Sequence, residues 1–301
     1  MSGKSLWLRR LLWLNLIAVT VAPLWLFLSN ADQLFPSPVR EATTGQSWRN
    51  ERLKPEFAGG FWHKKDFWRS VNISVISATL TAFFAALIGI PAAWALSRYR
   101  IPGKAMIETL FAAIMVLPAS SVGLALILMF QYGPLRRLQD SLGHQVMYSI
   151  FPGVVIAQSV LALAVGISAW RSAFEAVNPR MEHIARTLGA STWQAFRKVT
   201  LPLAFPGLLA GFILAWIRAM AEFGAVLLFC GTFRELPLTR FGTLSRALHI
   251  QQADLLSIAM WTEIEYGNIE YGFGIAFALA IICATCVYTI HALGGRGYVW
   301  R

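Results

Sequence analysis

Long apolar runs without a charged side chain dominate this chain. A helix needs about 20 such residues to cross the hydrocarbon core of a bilayer. Five uncharged runs reach or approach that length and a sixth contains only two charges; in chain order they are Leu11–Ser29, Val71–Ser97, Thr109–Leu135, Val146–Trp170, Leu203–Gly231 and Gly272–Ile290. Soluble helices carry a polar outer face, which these runs lack. The pattern therefore predicts an all-α integral membrane protein with six transmembrane helices.

The composition supports this class, because only 14% of the 301 residues are charged, whereas soluble domains average roughly 25%. The first apolar run follows Arg9 and Arg10, as in a signal peptide, but no clear small-residue cleavage site follows it. We therefore interpret it as a retained span. The predicted organisation is a cytoplasmic tail and first span (1–30), a periplasmic loop (31–70), a transmembrane domain (71–293) and a cytoplasmic tail (294–301).

Basic residues in short loops indicate the orientation, since they concentrate on the cytoplasmic side. They lie in four segments that six spans place on one side: Lys4, Arg9 and Arg10; Arg98, Arg100 and Lys104; Arg171, Arg180, Arg186, Arg197 and Lys198; and Arg296 and Arg301. This predicts a multi-pass membrane protein with both termini in the cytoplasm. Arg136, Arg137 and the basic 31–70 loop count against it. The net charge of +11 follows from topology and this loop, so we expect no nucleic-acid partner.

The residue types that commonly act in catalysis or bind metal ions form no recognisable site. Cys230, Cys283 and Cys286 all lie in apolar spans, and the five histidines have no metal-ligand spacing. The sequence contains no nucleophile motif and no carboxylate pair of catalytic type. We therefore expect a chain that is not an enzyme and that holds no metal or cofactor of its own.

The segment between the fourth and fifth apolar runs is polar and basic, and it predicts two short helices. Asn178 suits the N-cap and Pro179 the first position of a helix that ends near Leu188, where Gly189 can adopt a left-handed conformation. Ser191 and Gln194 fit a capping box at the start of a second helix.

The second helix carries three apolar residues at helical spacing, Trp193, Phe196 and Val199. It is predicted to end at the Leu201-Pro202 pair. The result is a helix–turn–helix elbow with one apolar and one basic side. Such an elbow is either a docking surface or a connector in the membrane interface, and the residues alone leave both open.

The spacing from Gly189 to Leu201-Pro202 resembles the cytoplasmic signature loop of the permease subunits of bacterial ABC importers. The Glu-Ala-Ala positions of that loop read His183-Ile184-Ala185, with Glu182 displaced by one. The resemblance implies that segment 171–202 contains the coupling helix, which docks in a cytoplasmic ATPase subunit. The residues it implies are Glu182, His183, Ala185, Gly189, Ala190, Ser191, Trp193, Phe196, Leu201 and Pro202.

Further segments are similar to permeases for sulfate, molybdate and tungstate: Gly89–Arg98, Ile101–Lys104, Val116–Pro118, Arg218–Ala225 and Trp261–Asn268. The resemblance implies the type I ABC importer permease fold and an oxyanion substrate, with ferric iron, thiamine and polyamine as alternatives. The periplasmic segment 232–260 is longer than in the oxyanion permeases. Its apolar residues suggest an amphipathic helix, lying in the interface or in a docking surface for a binding protein: Leu244, Leu248, Leu255, Leu256 and Ile258.

The resemblance also implies a location in a bacterial inner membrane and partners outside this chain. These are cytoplasmic ATPase subunits that bind ATP and Mg, a periplasmic substrate-binding protein, membrane lipid and a second permease subunit. Gly207 and Gly211 permit close approach of two helices, which favours a homodimer. A stand-alone channel and a membrane-embedded enzyme remain the alternatives from other functional classes, and co-purification of an ATPase would separate them from a permease.

Arg218 and Glu222 are the two charged residues in the predicted fifth span, placed near its middle. A charge at that depth costs at least about 2.5–3.5 kcal/mol, so such residues usually face a bundle interior or a cavity. The pair therefore either fixes helix packing as a self-neutralising unit or lines the translocation pathway, and the sequence leaves both interpretations open.

Overall fold

The computed structural model describes residues 65–99, 101–137, 150–231 and 254–293, whose regular structure is helical throughout. The helices are α1 (Lys65–Arg98), α2 (Lys104–Val116), α3 (Ala119–Gln131), α4 (Val155–Glu175), α5 (Pro179–Thr187), α6 (Thr192–Ala195), α7 (Leu201–Met220), α8 (Gly224–Cys230), α9 (Leu256–Glu265) and α10 (Ile269–Leu293), with π-helical segments at Ile150–Val154 and Phe196–Thr200.

Within these ranges, four helices are long and apolar enough to cross a membrane: Phe67–Arg98, Pro152–Glu175, Thr192–Met220 and Tyr271–Tyr288. They overlap the predicted second, fourth, fifth and sixth spans, but the fifth runs from Thr192 to Met220 and so begins and ends about eleven residues before the predicted Leu203–Gly231. The predicted first span lies outside the described residues. Helix α1 begins at Lys65, so the end of the predicted 31–70 loop is helical instead.

The predicted third span is not one continuous helix. Helices α2 and α3 meet at a bend of 113°. Leu117 between them is extended, with φ −61° and ψ 141°, because the ring of Pro118 disfavours a helical conformation in the preceding residue. The structure therefore corrects a straight span at Thr109–Leu135 to two short helices joined at a proline.

The second helix of the elbow does not end at Leu201-Pro202, as the sequence suggested. Helix α6, the π-helical segment and α7 form one continuous helix from Thr192 to Met220. The backbone N–H of Leu201 bonds to the oxygen of Phe196, five residues earlier. Such a π-bulge rearranges the hydrogen bonds beside a residue without an N–H, so Pro202 is accommodated and the helix continues into the membrane.

The centre of the bundle is a three-helix core in which α4 packs against both α1 and α7. Trp170 of α4 is fully buried there. A Cβ atom on Gly89, Gly166 or Gly211 would lie too close to its indole ring, at 2.5 Å in the case of Gly211. Gly211 thus makes room for a tryptophan of its own chain, so the close helix approach that it permits lies within the bundle, and the homodimer stays a prediction.

A second core joins α3, α8 and the start of α9. A Cβ atom on Gly123 of α3 would lie 2.9 Å from the backbone of Ala225 in α8, so these helices are in close contact. Leu255 and Ile258 are fully buried in this core and Leu256 in the three-helix core. The end of segment 232–260 therefore packs inside the bundle and offers no free amphipathic surface, while 232–253 lies outside the described residues.

Candidate functional site

The elbow begins with α5, whose predicted ends are confirmed. The Asn178 side chain accepts a hydrogen bond from the Arg180 N–H, and Pro179 occupies the first helical turn. At the other end, Gly189 has φ +91°. The Gly189 N–H bonds to the Arg186 oxygen and the Ala190 N–H to the Ala185 oxygen. This is a Schellman motif, which closes a helix where a glycine permits a left-handed backbone.

The second part of the elbow starts with the predicted capping box. The Ser191 hydroxyl accepts from the Gln194 N–H at 3.2 Å, and the Gln194 side chain accepts from the Ser191 N–H at 2.9 Å. Both hydrogen bonds satisfy donors that a helix start leaves unpaired. The turn from Leu188 to Ser191 is therefore fixed by local hydrogen bonds on both sides.

Glu182 turns towards the bundle. Its Oε1 accepts hydrogen bonds from Arg98 Nε and from Thr200 Oγ1, both at 2.8 Å. Arg98 is the last residue of α1, and Thr200 is the last residue of the π-helical segment below α7. Sequence reasoning singled out the glutamate but neither partner, because nothing in the local pattern marks them.

The predicted apolar side of the second helix divides into an inner and an outer residue. Phe196 lies inside, with its ring centroid 4.9 Å from that of Trp94 and 6.3 Å from that of Phe174. Trp193 is 66% exposed. Phe196 is half-buried against Trp94 and Phe174 of its own chain, so Trp193 is the exposed ring of this face, and the contact of these rings with a protein partner stays a prediction.

Three further apolar side chains of the elbow are exposed. Met181, Ile184 and Leu188 follow each other at the spacing of one helix face, and Leu188 is 84% exposed. We call these three and Trp193 the apolar surface of the elbow. Sequence reasoning missed Met181, Ile184 and Leu188, although their spacing at i, i+3 and i+7 was visible.

The remaining residues of the predicted coupling loop have varied surroundings. His183 is exposed, Ala185 and Ala190 are half-buried, and Pro202 is exposed in the first turn of α7. Leu201 packs against the three-helix core. The structure thus brings all the predicted residues onto one elbow, with some turned inward and others outward.

Arg218 and Glu222 form an ion pair, with Arg218 Nη1 2.6 Å from Glu222 Oε2. The pair does not lie in the middle of a helix, because α7 ends at Met220 and α8 begins at Gly224. Glu222 Oε1 accepts from the Ala225 N–H at 2.9 Å, and the Glu222 backbone oxygen accepts from the Ser257 hydroxyl at 2.7 Å. Glu222 therefore joins α7, α8 and α9 at the break.

The two members of this pair differ in exposure. The Glu222 side chain is 1% exposed, whereas the Arg218 side chain is 30% exposed. A buried carboxylate is stabilised by its ion pair and by the N–H donor at the start of α8. The guanidinium is therefore the exposed part of the pair. Among the described residues, no group of three or more His, Cys, Asp or Glu side chains could hold a metal ion.

Comparisons with known proteins agree with this architecture. The family described as "Binding-protein-dependent transport system inner membrane component" matches residues 85–294. The molybdate/tungstate transport system permease protein WtpB of Thermococcus kodakarensis is 37% identical over 53% of this chain, which spans 59% of that relative's length. The molybdenum transport system permease protein ModB of Escherichia coli K12 is 38% identical over 54% of this chain and 71% of that protein.

A solved structure shares the fold. The crystal structure of a bacterial alginate ABC transporter, in complex with an alginate pentasaccharide-bound periplasmic protein, contains a chain that aligns with a TM-score of 0.63. The alignment covers 97% of this chain and 96% of that chain, at 15% sequence identity. This chain therefore has the fold of a chain in that bacterial ABC transporter.

Proposed function

The chain belongs to the family of binding-protein-dependent transport system inner membrane components, and we propose that it is the permease subunit of an ATP-driven importer of oxyanions. It is a multi-pass protein of the inner membrane. ATP and Mg are bound by a separate cytoplasmic ATPase, and a periplasmic binding protein delivers the substrate. A second copy of this chain completes the pathway, and both termini lie in the cytoplasm.

The observation that supports this proposal is the exposed apolar surface of an elbow whose other face is anchored. Leu188 and Trp193 are exposed, while Glu182 and Phe196 bind the elbow to the bundle. A connector needs no such anchoring, and a protein partner gains from covering large apolar side chains. The ATPase subunit docks on this surface.

The proposed substrate class rests on the relatives, whose names include molybdate, tungstate and molybdenum transport. The structure adds the Arg218–Glu222 pair, which we place on the pathway. Its exposed guanidinium attracts an anion, and Glu222 tempers that attraction so that the anion is released. Ferric iron, thiamine and polyamines are the alternative substrates.

The test starts from affinity-tagged chain purified in mild detergent from its own membranes. We expect ATP hydrolysis to co-purify with the tagged chain and to be lost from the variant Leu188→Glu. Lys198→Glu is the matched control, since it changes an exposed residue outside the apolar surface. A wild-type chain that brings down no ATP hydrolysis contradicts the permease function and favours a stand-alone channel.

Uptake in a strain that lacks the gene, with and without the wild-type chain, tests the substrate class. We expect the chain to restore accumulation of labelled molybdate, tungstate or sulfate. Ferric iron, thiamine and a polyamine are assayed in parallel. If the chain restores uptake of only ferric iron, thiamine or the polyamine, it is still an importer subunit, but its substrate is not an oxyanion.

A further inference from the structure

The carboxylate of Glu182 connects three elements at one atom. Its Oε1 accepts from Arg98 Nε at the end of α1 and from Thr200 Oγ1 at the base of α7, while Glu182 itself belongs to α5. Arg98 also donates from Nη2 to the backbone oxygen of Val177 at 3.0 Å, just before α5 begins. We call this arrangement the Arg98–Glu182–Thr200 joint.

The joint is largely shielded from solvent. The side chains of Arg98 and Glu182 are 10% and 19% exposed, and Thr200 is fully buried. Exposed ion pairs contribute little because water screens them. Hydrogen bonds to charged groups contribute more than those between neutral groups, and removal of one partner from a shielded pair leaves the other charge uncompensated. The joint is therefore a firm connection.

The joint and the apolar surface lie on different faces of the same short helix. Met181 and Ile184 point outward and are half exposed or more, whereas Glu182 between them points to Arg98. A displacement of α5 by a docked partner therefore acts directly on Glu182. From there it reaches the last residue of α1 and the segment that continues into α7.

The aromatic contacts beside the joint are of a different kind. Phe196 packs against Trp94 of α1 and Phe174 of α4. Apolar packing is non-directional and tolerates a shift between neighbours. The hydrogen bonds of Glu182 depend on distance and angle, so they fix how far α5, α1 and α7 move together.

We infer that the Arg98–Glu182–Thr200 joint transmits the movement of the docked elbow to α1 and α7, and that Glu182 is a positioning residue directed into its own chain instead of an ATPase contact. This rests on the proposed function, since it presupposes an ATPase at the elbow. Contiguous hydrogen-bonded networks of this kind carry energetic coupling between distant sites.

The test compares uptake with ATP hydrolysis in complexes purified through the tagged chain. Glu182→Gln and Thr200→Val each weaken the joint and leave the apolar surface unchanged. We expect both variants to retain the ATPase and its basal hydrolysis and to lower substrate uptake per ATP hydrolysed. For Glu182→Gln the expected decrease is about tenfold, which corresponds to about 1.4 kcal/mol. Lys198→Gln removes an exposed charge from the same segment and should leave this ratio unchanged.

The charge exchange Arg98→Glu with Glu182→Arg is the rescue, because it rebuilds the ion pair with the charges reversed. We expect it to recover part of the uptake that each single reversal loses. Normal uptake in Glu182→Gln overturns the inference. Loss of the ATPase from Glu182→Gln also overturns it, because Glu182 is then a docking contact. If neither Glu182→Gln nor Thr200→Val is found in the membrane, the inference is overturned as well, because the joint then only maintains the fold. Failure of the proposed function is recognised separately, by a wild-type chain without ATPase.

Discussion

The indole Nε1 of Trp170 in α4 donates a hydrogen bond to the backbone oxygen of Leu208 in α7 at 3.0 Å. The benzo edge of the same indole faces Gly89 of α1, and its pyrrole edge faces Gly211 of α7. One side chain therefore spaces all three helices of the core. A methyl group on either glycine would enter the volume of a fully buried ring, which has no room to move.

The first prediction concerns this packing. Gly89→Ala should destabilise the chain by about 1–3 kcal/mol, the usual cost of overpacking a core, measured as a lower thermal midpoint in detergent. In a Trp170→Phe background the shorter phenyl ring does not reach the benzo edge, so Gly89→Ala should cost less. Gly211→Ala is the control, because a phenyl ring still occupies the pyrrole side. An equal penalty for Gly89→Ala in both backgrounds contradicts this account.

The second prediction concerns the turn of the elbow. Gly189 has φ +91°, and a Cβ atom there meets nothing within 4 Å, so the cost of a side chain comes from the backbone alone. Gly189→Val should cost about 1–2 kcal/mol in this region, misplace α6 relative to α5, and reduce ATPase association while the chain remains in the membrane. Gly189→Asn, which tolerates this region, should retain most association. Equal association for both variants would mean that the turn does not position the elbow.

Local features of the elbow were predictable from the sequence, and its connections to the bundle were not. Asn178, Ser191 and Gln194 cap residues two or three positions away, so a short segment contains all the information. Glu182 bonds to Arg98, which is 84 residues distant in the chain. Only the packed structure specifies such a contact, because nothing in the residues around Arg98 distinguishes it from the other basic residues as the partner of Glu182.

The sequence also does not show which prolines interrupt a helix. Pro91 and Pro206 lie inside the helices α1 and α7, whereas Pro118 separates α2 from α3. Membrane helices tolerate proline when neighbouring groups satisfy the freed backbone. Whether a proline bends the chain therefore depends on what packs beside it, and α8 packs against α3 at this point. The predicted second and sixth spans agree with the observed helices to within a few residues, whereas the third and fifth were wrong in extent, because the chain breaks at Pro118 and after Met220.

The third prediction concerns topology. Single cysteines at Ser47 and Lys198, in a background without the three native cysteines, should react with impermeant reagents from opposite sides of the membrane. Lys198 is an exposed position of the elbow, so its labelling from the cytoplasmic side should be rapid. Ser47 lies outside the described residues and reports on the predicted periplasmic loop. Labelling of both positions from outside in intact cells would exclude the proposed orientation.

The sequence left open whether Arg218 and Glu222 fix helix packing or line the translocation pathway, and the structure places the two residues in different surroundings. Glu222 binds the Ala225 N–H and is buried, so it supports the helix break. Arg218 is partly exposed, and within the described residues its hydrogen-bond and ion-pair partner is the Glu222 carboxylate. Glu222→Ala should therefore leave both the N–H and the guanidinium unpaired, lower the thermal midpoint and reduce the amount of chain in the membrane. Glu222→Gln retains an amide oxygen for the N–H, and it should be the milder change.

The fourth prediction tests the pathway directly through Arg218→Gln. The glutamine amide at position 218 can still donate to Glu222, which also keeps its hydrogen bond to Ala225, so the complex should assemble and hydrolyse ATP at the basal rate. Loss of the exposed positive charge should nevertheless reduce uptake of labelled molybdate, because an anion then meets no favourable potential at the break. In Glu222→Gln the unpaired arginine holds the anion more tightly, and the maximal uptake rate should fall while half-saturation occurs at a lower concentration. If Arg218→Gln transports molybdate normally, the pathway lies elsewhere. If a single variant fails to assemble while the double variant Arg218→Gln with Glu222→Gln assembles and transports normally, the pair is a packing element and the pathway again lies elsewhere.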